Sequence, residues 1–77
     1  MEKMRVTEDF AWDYIIEGHQ IGNYILYSCT LDNAFIYYDK VLNAYYVLEM
    51  ETKDWNKAES YVRGLWEQDY ADMLHLC

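Results

Sequence analysis

Hydrophobic and polar positions change rhythm several times along the chain, and the changes mark its elements. Thr7 followed by Glu8 and Asp9 has the form of a helix N-cap with acids in the first turn, and Gly18 stands where a C-cap would end the helix. The spacing predicts helix 1 over Thr7–Glu17, with Phe10, Ala11, Tyr14 and Ile15 on its apolar arc and Asp9, Asp13 and Glu17 stacked at i, i+4 and i+8. From Tyr24 to Leu31 the pattern alternates: Ile25, Tyr27, Cys29 and Leu31 face one way, and Tyr24, Leu26, Ser28 and Thr30 the other. Asp32-Asn33 is turn chemistry, and Ala34–Tyr38 would return antiparallel beside the first strand. A third strand, Ala44–Glu51, puts Ala44, Tyr46, Leu48 and Met50 on one face and Tyr45, Val47, Glu49 and Glu51 on the other. Phe35, Tyr38, Leu42 and Tyr46 also approximate helical spacing, so a central helix over 34–50 is the competing assignment.

Asp54 reads as the N-cap of helix 2, which starts at Trp55 and carries the stripe Trp55, Ala58, Val62, Leu65, Trp66 and Met73. Glu59 and Arg63 form a favourable i, i+4 pair. Glu67, Asp69 and Asp72 then load the C-terminal end, where the helix dipole is already negative. Asp69 falls inside the apolar stripe, where a buried carboxylate would need a partner, so the helix is expected to bend or end first. The predicted fold is α+β: helix, three-stranded antiparallel sheet, helix, packed through Phe10, Tyr14, Ile15, Trp55, Val62, Leu65 and Trp66.

Length confines this to a single domain over 1–77, because 77 residues leave no chain for a second core. An apolar content of 53% with 18% aromatics separates it from the charged, aromatic-poor chains that fail to collapse. Nothing at the N-terminus has the apolar core of a signal peptide and no run reaches a membrane span, so a cytoplasmic location is expected, that of a host cell if the gene is phage-borne. Cys29 and Cys77 are too few for a disulfide framework.

Charge narrows the function. Fourteen acids against six Lys and Arg give a formal charge of −8, which repels nucleic acid and membrane surfaces and attracts basic protein surfaces. From Val6 to Asp39 there is no Lys or Arg, while Glu8, Asp9, Asp13, Glu17, Asp32 and Asp39 all lie there. Carboxylates one helical turn apart sit roughly 5–6 Å from each other, comparable to successive phosphates of a nucleic-acid strand. The plain counterpart is a solvated helix face that keeps the protein soluble. Tyr24, Tyr38 and Tyr45 fall on strand faces opposite the expected core, where tyrosines beside carboxylates would anchor a protein interface; the plain account is that most tyrosines are core. The candidate partner-binding residues are therefore Asp9, Asp13, Glu17, Glu49, Glu51, Tyr24, Tyr45, Glu67 and Asp72.

Catalytic and cofactor chemistry finds little support. His19, Cys29, His75 and Cys77 are four soft ligands without zinc-site spacing, so no metal or other cofactor is assigned. Gly18-His19-Gln20-Ile21-Gly22-Asn23 lacks the Lys-Ser/Thr of a phosphate loop and reads as a helix-to-strand turn. No Ser/His/Asp set has identifiable context, and the chain is read as a non-enzyme.

In composition and charge layout, through the row Asp9, Asp13 and Glu17, the basic-free stretch up to Asp39, and Glu67, Asp69 and Asp72, the chain resembles the small acidic proteins that phages and mobile elements make against host defence nucleases. These include many anti-CRISPR proteins and other DNA mimics. The resemblance implies an inhibitor that fills a basic nucleic-acid-binding groove of a CRISPR effector or other nuclease, without itself binding nucleic acid. The alternative is a homo-oligomeric accessory or structural domain, possible as a dimer joined through a strand edge or a tyrosine face, whose acidity serves only solubility.

Overall fold

The computed structural model describes residues 2–75, with side chains through Ala71. The order is β1 (Glu2–Val6), α1 (Glu8–Tyr14), β2 (Ile15–Ile21), β3 (Tyr24–Cys29), β4 (Ala34–Asp39), β5 (Ala44–Glu49) and α2 (Trp55–His75). The strands form one antiparallel sheet in the order β1-β5-β4-β3-β2. Strands β2 to β5 are a meander, and β1 closes its far side against β5. The class is α+β, but the sheet has five strands where three were expected.

Both additional strands are edges, and each was hidden for its own reason. Glu2–Val6 is charged at three of its five positions and largely exposed, so it offers no apolar alternation; backbone pairing with β5 from Glu2↔Glu49 to Val6↔Tyr45 holds it in place. Over 15–21, the helical spacing of Asp13 and Glu17 masks a strand. Thr7 caps α1 as expected, its Oγ1 accepting from the Phe10 N–H at 3.1 Å. The helix nevertheless stops after Tyr14: Ile15 has φ −68° and ψ 133°, and the β-branched pair Ile15-Ile16 leads into β2. Gly18 is a strand residue rather than a helix cap. A Cβ there would lie 2.6–2.7 Å from the Tyr27 ring on β3, so glycine makes room for that ring. Gly22, at φ +57°, opens the β2–β3 turn beneath Trp66, and Asn33 and Asn43 supply the left-handed positions of the next two turns.

The strand faces of β3 and β5 follow the sequence pattern, and the central-helix assignment is excluded by β4 and β5. Helix α2 covers one face, where Ile21, Tyr24, Leu26, Phe35, Tyr37 and Leu48 pack against Ala58 and Val62. Trp55, Tyr61, Leu65 and Trp66 close that layer from the helix side. Asp54 accepts from the Asn56 N–H at 2.9 Å and caps the helix. Helix α1 crosses the other face from β1 at one edge to β2 at the other, and its Ala11 is buried against Tyr27, Cys29, Ala34, Ile36 and Val47. The expected packing residues Tyr14 and Ile15 contribute there, whereas Phe10 stands partly outside. Seven residues of helix cover that face only in part. Among the described residues, no helix is long and apolar enough to cross a membrane.

Candidate binding surfaces

Helix α1 is the most acidic described element. Glu8, Asp9 and Asp13 are exposed, and Trp12 between them is 50% exposed. The Trp12 ring is held in place: its Nε1–H donates to the Tyr45 hydroxyl at 3.0 Å, and its edge meets Tyr27 with centroids 5.6 Å apart. Tyr45 in turn packs on Tyr38 at 4.5 Å, and the Tyr38 hydroxyl bonds Asn43. Among the described residues, the one Lys or Arg ion pair is Arg63 with Glu59 at 3.0 Å, so no Lys or Arg pairs directly with the α1 acids, Arg5 lining the same cavity as Glu8 without an ion pair to it. An indole with a fixed orientation loses little freedom when a partner covers it, and carboxylates beside it favour a basic partner.

The expected row of three acids is not present. Asp9 and Asp13 share α1, but Glu17 is on β2, in register with Ser28 and alternating with His19 and Ile21. Ile21 is in the core under α2, and His19 meets the Trp55 ring at 5.0 Å, so Glu17 belongs to the α2 side of the sheet. Its Oε1 lies 3.6 Å from His19 Nε2. The helix thus ends one turn too early to stack the third carboxylate, and the sheet stands between it and the other two.

The remaining candidates are also distributed. Tyr45 joins the α1 surface. Tyr24 is 4% exposed, so it is a core residue under α2 rather than an interface anchor. Its burial shows that β3 has no outward face: α2 covers the Tyr24 and Leu26 side, taken as outward, and α1 the Tyr27 and Cys29 side. Glu49 and Glu51 are exposed at the opposite end of β5 from Tyr45, beside Glu2. Glu67 is exposed on α2, and the Asp72 side chain lies outside the described residues. The soft-ligand set is divided: His19 faces α2, while Cys29 is buried on the α1 side with its thiol on the Ala34 carbonyl at 3.2 Å. His75 and Cys77 are beyond the described side chains, and no metal-binding group of His, Cys, Asp or Glu occurs among the described residues.

A second locus was not visible in the sequence. At the Asp39–Asn43 end of the sheet, α2 and the strands enclose a groove of about 520 Å³. Helix α2 does not end at Asp69 but continues to His75. That carboxylate instead takes a hydrogen bond from the Tyr24 hydroxyl. Burial, the bond to Asp69 and the nearby Asp39 charge push the Tyr24 phenol above its ordinary range, so it stays protonated and donates. Asp39, read only as part of the acidic stretch, is buried, and its Oδ1 accepts from the Val41 and Leu42 N–H groups at 2.9 and 3.1 Å. The turn residue at the end of β4 was the available signal, since Asp commonly bonds backbone two residues on.

No family model matches the chain, and no curated protein or solved structure is significantly similar to it.

Proposed function

We propose that the chain is a protein-binding inhibitor that docks through α1 into a basic nucleic-acid-binding groove, the class of target being a defence nuclease such as a CRISPR effector. The carrying observation is the α1 surface itself: Glu8, Asp9 and Asp13, without a basic partner among the described residues, around a half-exposed, hydrogen-bonded Trp12. Lys and Arg of the groove would pair with the carboxylates while Trp12 and Tyr45 supply the desolvated centre. This differs from mimicry by an even ladder of charges, because Glu17 is on the other side of the sheet. Binding would exclude nucleic acid by occupancy, and the action belongs in the cytoplasm where such a nuclease works.

Edge-to-edge self-association has less support. The free edge β1 carries Glu2, Lys3 and Arg5, and β2 carries a register shift between Ile15 and Glu17, both of which discourage strand addition. The test is association with a purified basic effector across a salt series. Replacing Asp9 and Asp13 by Asn and Trp12 by Ala should weaken binding by at least about tenfold, and the wild-type on-rate should fall steeply with salt. Retained affinity in the triple variant would dismiss the reading.

A further inference from the structure

The groove at the Asp39–Asn43 end of the sheet has the parts of a second site. Asp39 is 7% exposed, and both of its hydrogen bonds engage Oδ1. Asp39 lines the groove, and since no fully enclosed side-chain oxygen among the described residues lacks a partner, its Oδ2, which accepts no hydrogen bond, is at least partly open. Asp69, which lines the same groove, is held by the Tyr24 hydroxyl. The wall is aromatic: Tyr46, stacked on Tyr37 at 5.1 Å, and Trp66 of α2 both line the space. Val41 and Leu42 form an apolar, exposed rim.

The chain already places one cation against this wall. The Lys3 ammonium lies 5.5 Å from the centre of the Tyr46 ring, a cation–π distance, yet it forms no ion pair with Asp39 or Asp69 among the described residues. An anionic, aromatic-walled groove of this size suits a positive group on an apolar stem: the charge meets the carboxylates and the stem lies on the rings. A metal ion fits less well, since the groove brings together only two carboxylates and no group of three or more His, Cys, Asp or Glu that could hold one occurs among the described residues.

We propose that this groove binds an organic cation, a guanidinium or alkylammonium group, between the carboxylates of Asp39 and Asp69 and the wall formed by Tyr46 and Trp66. Lys3 competes at the entrance and lowers the affinity. The groove is on the α2 side of the sheet, away from α1, so this site stands or falls separately from the α1 surface.

The test is an NMR titration of the full chain with n-butylguanidinium, followed through the indole N–H of Trp66, with n-butylurea as the neutral isostere. The expected result is a saturable shift with the guanidinium and none with the urea. The double variant D39N/D69N, with its fold verified by circular dichroism, should bind at least about tenfold more weakly. D69N alone, on the groove's rim, should weaken binding several-fold should the double variant fail to fold, and K3M should tighten it. Agmatine and a capped Gly-Arg-Gly peptide distinguish the sources: equal or tighter binding of the peptide indicates an arginine of a protein, and binding of agmatine alone a free amine. No saturable shift, an equal response to the urea, or undiminished binding by D69N would overturn the proposal.

Discussion

Replacing Gly18 by Ala tests the point at which the structure departs most from a helical reading of residues 7–17. In β2 the new methyl would sit 2.6 Å from Cε1 and 2.7 Å from Cδ1 of Tyr27, with Ile25 Cγ2 at 3.1 Å. Tyr27 is 8% exposed and is itself packed by Trp12, so its ring has little room to retreat. Overpacking of this kind costs about 1–3 kcal/mol, against which alanine regains roughly 0.5–1 kcal/mol of the backbone entropy that glycine loses in a strand. The net expectation is a destabilisation of about 1–2 kcal/mol, or roughly 4–16 °C in melting temperature for a domain of this size. Urea denaturation monitored by tryptophan fluorescence measures it. The decisive comparison is the same substitution in a Tyr27→Leu background. Once the ring is gone, Gly18→Ala should be neutral or mildly stabilising, giving a coupling of at least about 1 kcal/mol between the two positions. Additive costs, or a Gly18→Ala variant more stable than the parent, would refute the cross-strand contact and with it the end of α1 at Tyr14.

Gly22→Ala should be more damaging, by at least about 2 kcal/mol in chemical denaturation, because it combines φ +57° with a Cβ 2.3 Å from the Trp66 ring. Tyr24→Phe should cost about 1 kcal/mol by the same measurement, through loss of its bond to Asp69. Burial raises the Tyr24 and Tyr37 phenols above their ordinary values, so above pH about 10 the unfolded chain loses protons that the folded one keeps. The stability that these two phenols confer should therefore be constant below that pH and decline as the pH rises past it, in denaturation curves at stepped alkaline pH. Substituting Asp9 and Asp13 by Asn should change the folding free energy by less than about 0.5 kcal/mol, since both are exposed and unpaired among the described residues.

Much of the interior was legible from period-two alternation. Tyr24–Cys29 and Ala44–Glu49 show it because α1 and α2 divide their side chains between two separate cores. The cap residues Thr7 and Asp54 likewise announced both helix starts through local hydrogen bonds. What escaped were features whose cause is remote in sequence. Glu2–Val6 is a strand because β5 offers an edge 40-odd residues later, and its own side chains say little. Gly18 resembles a helix stop until the Tyr27 ring is known to lie across from it. The same remoteness hid the groove: Asp39 and Asp69 line one space only because α2 returns over the meander, and a carboxylate within an apolar stripe looked like a helix end when its partner, Tyr24, was 45 residues away. On the functional side, the acid content of α1 was readable but the position of Glu17 was not, since its face depends on the register with β3.

The inhibitory reading is tested most directly by competition on a purified CRISPR effector or related nuclease that the chain binds. Labelled nucleic acid bound to that protein is titrated with wild-type chain and with the variant carrying Asp9→Asn, Asp13→Asn and Trp12→Ala, and release is followed by fluorescence anisotropy. Stoichiometric displacement by the wild type, with the variant requiring at least about ten times more chain, is the predicted result. A ternary complex that retains its nucleic acid, or equal displacement by the variant, would contradict it.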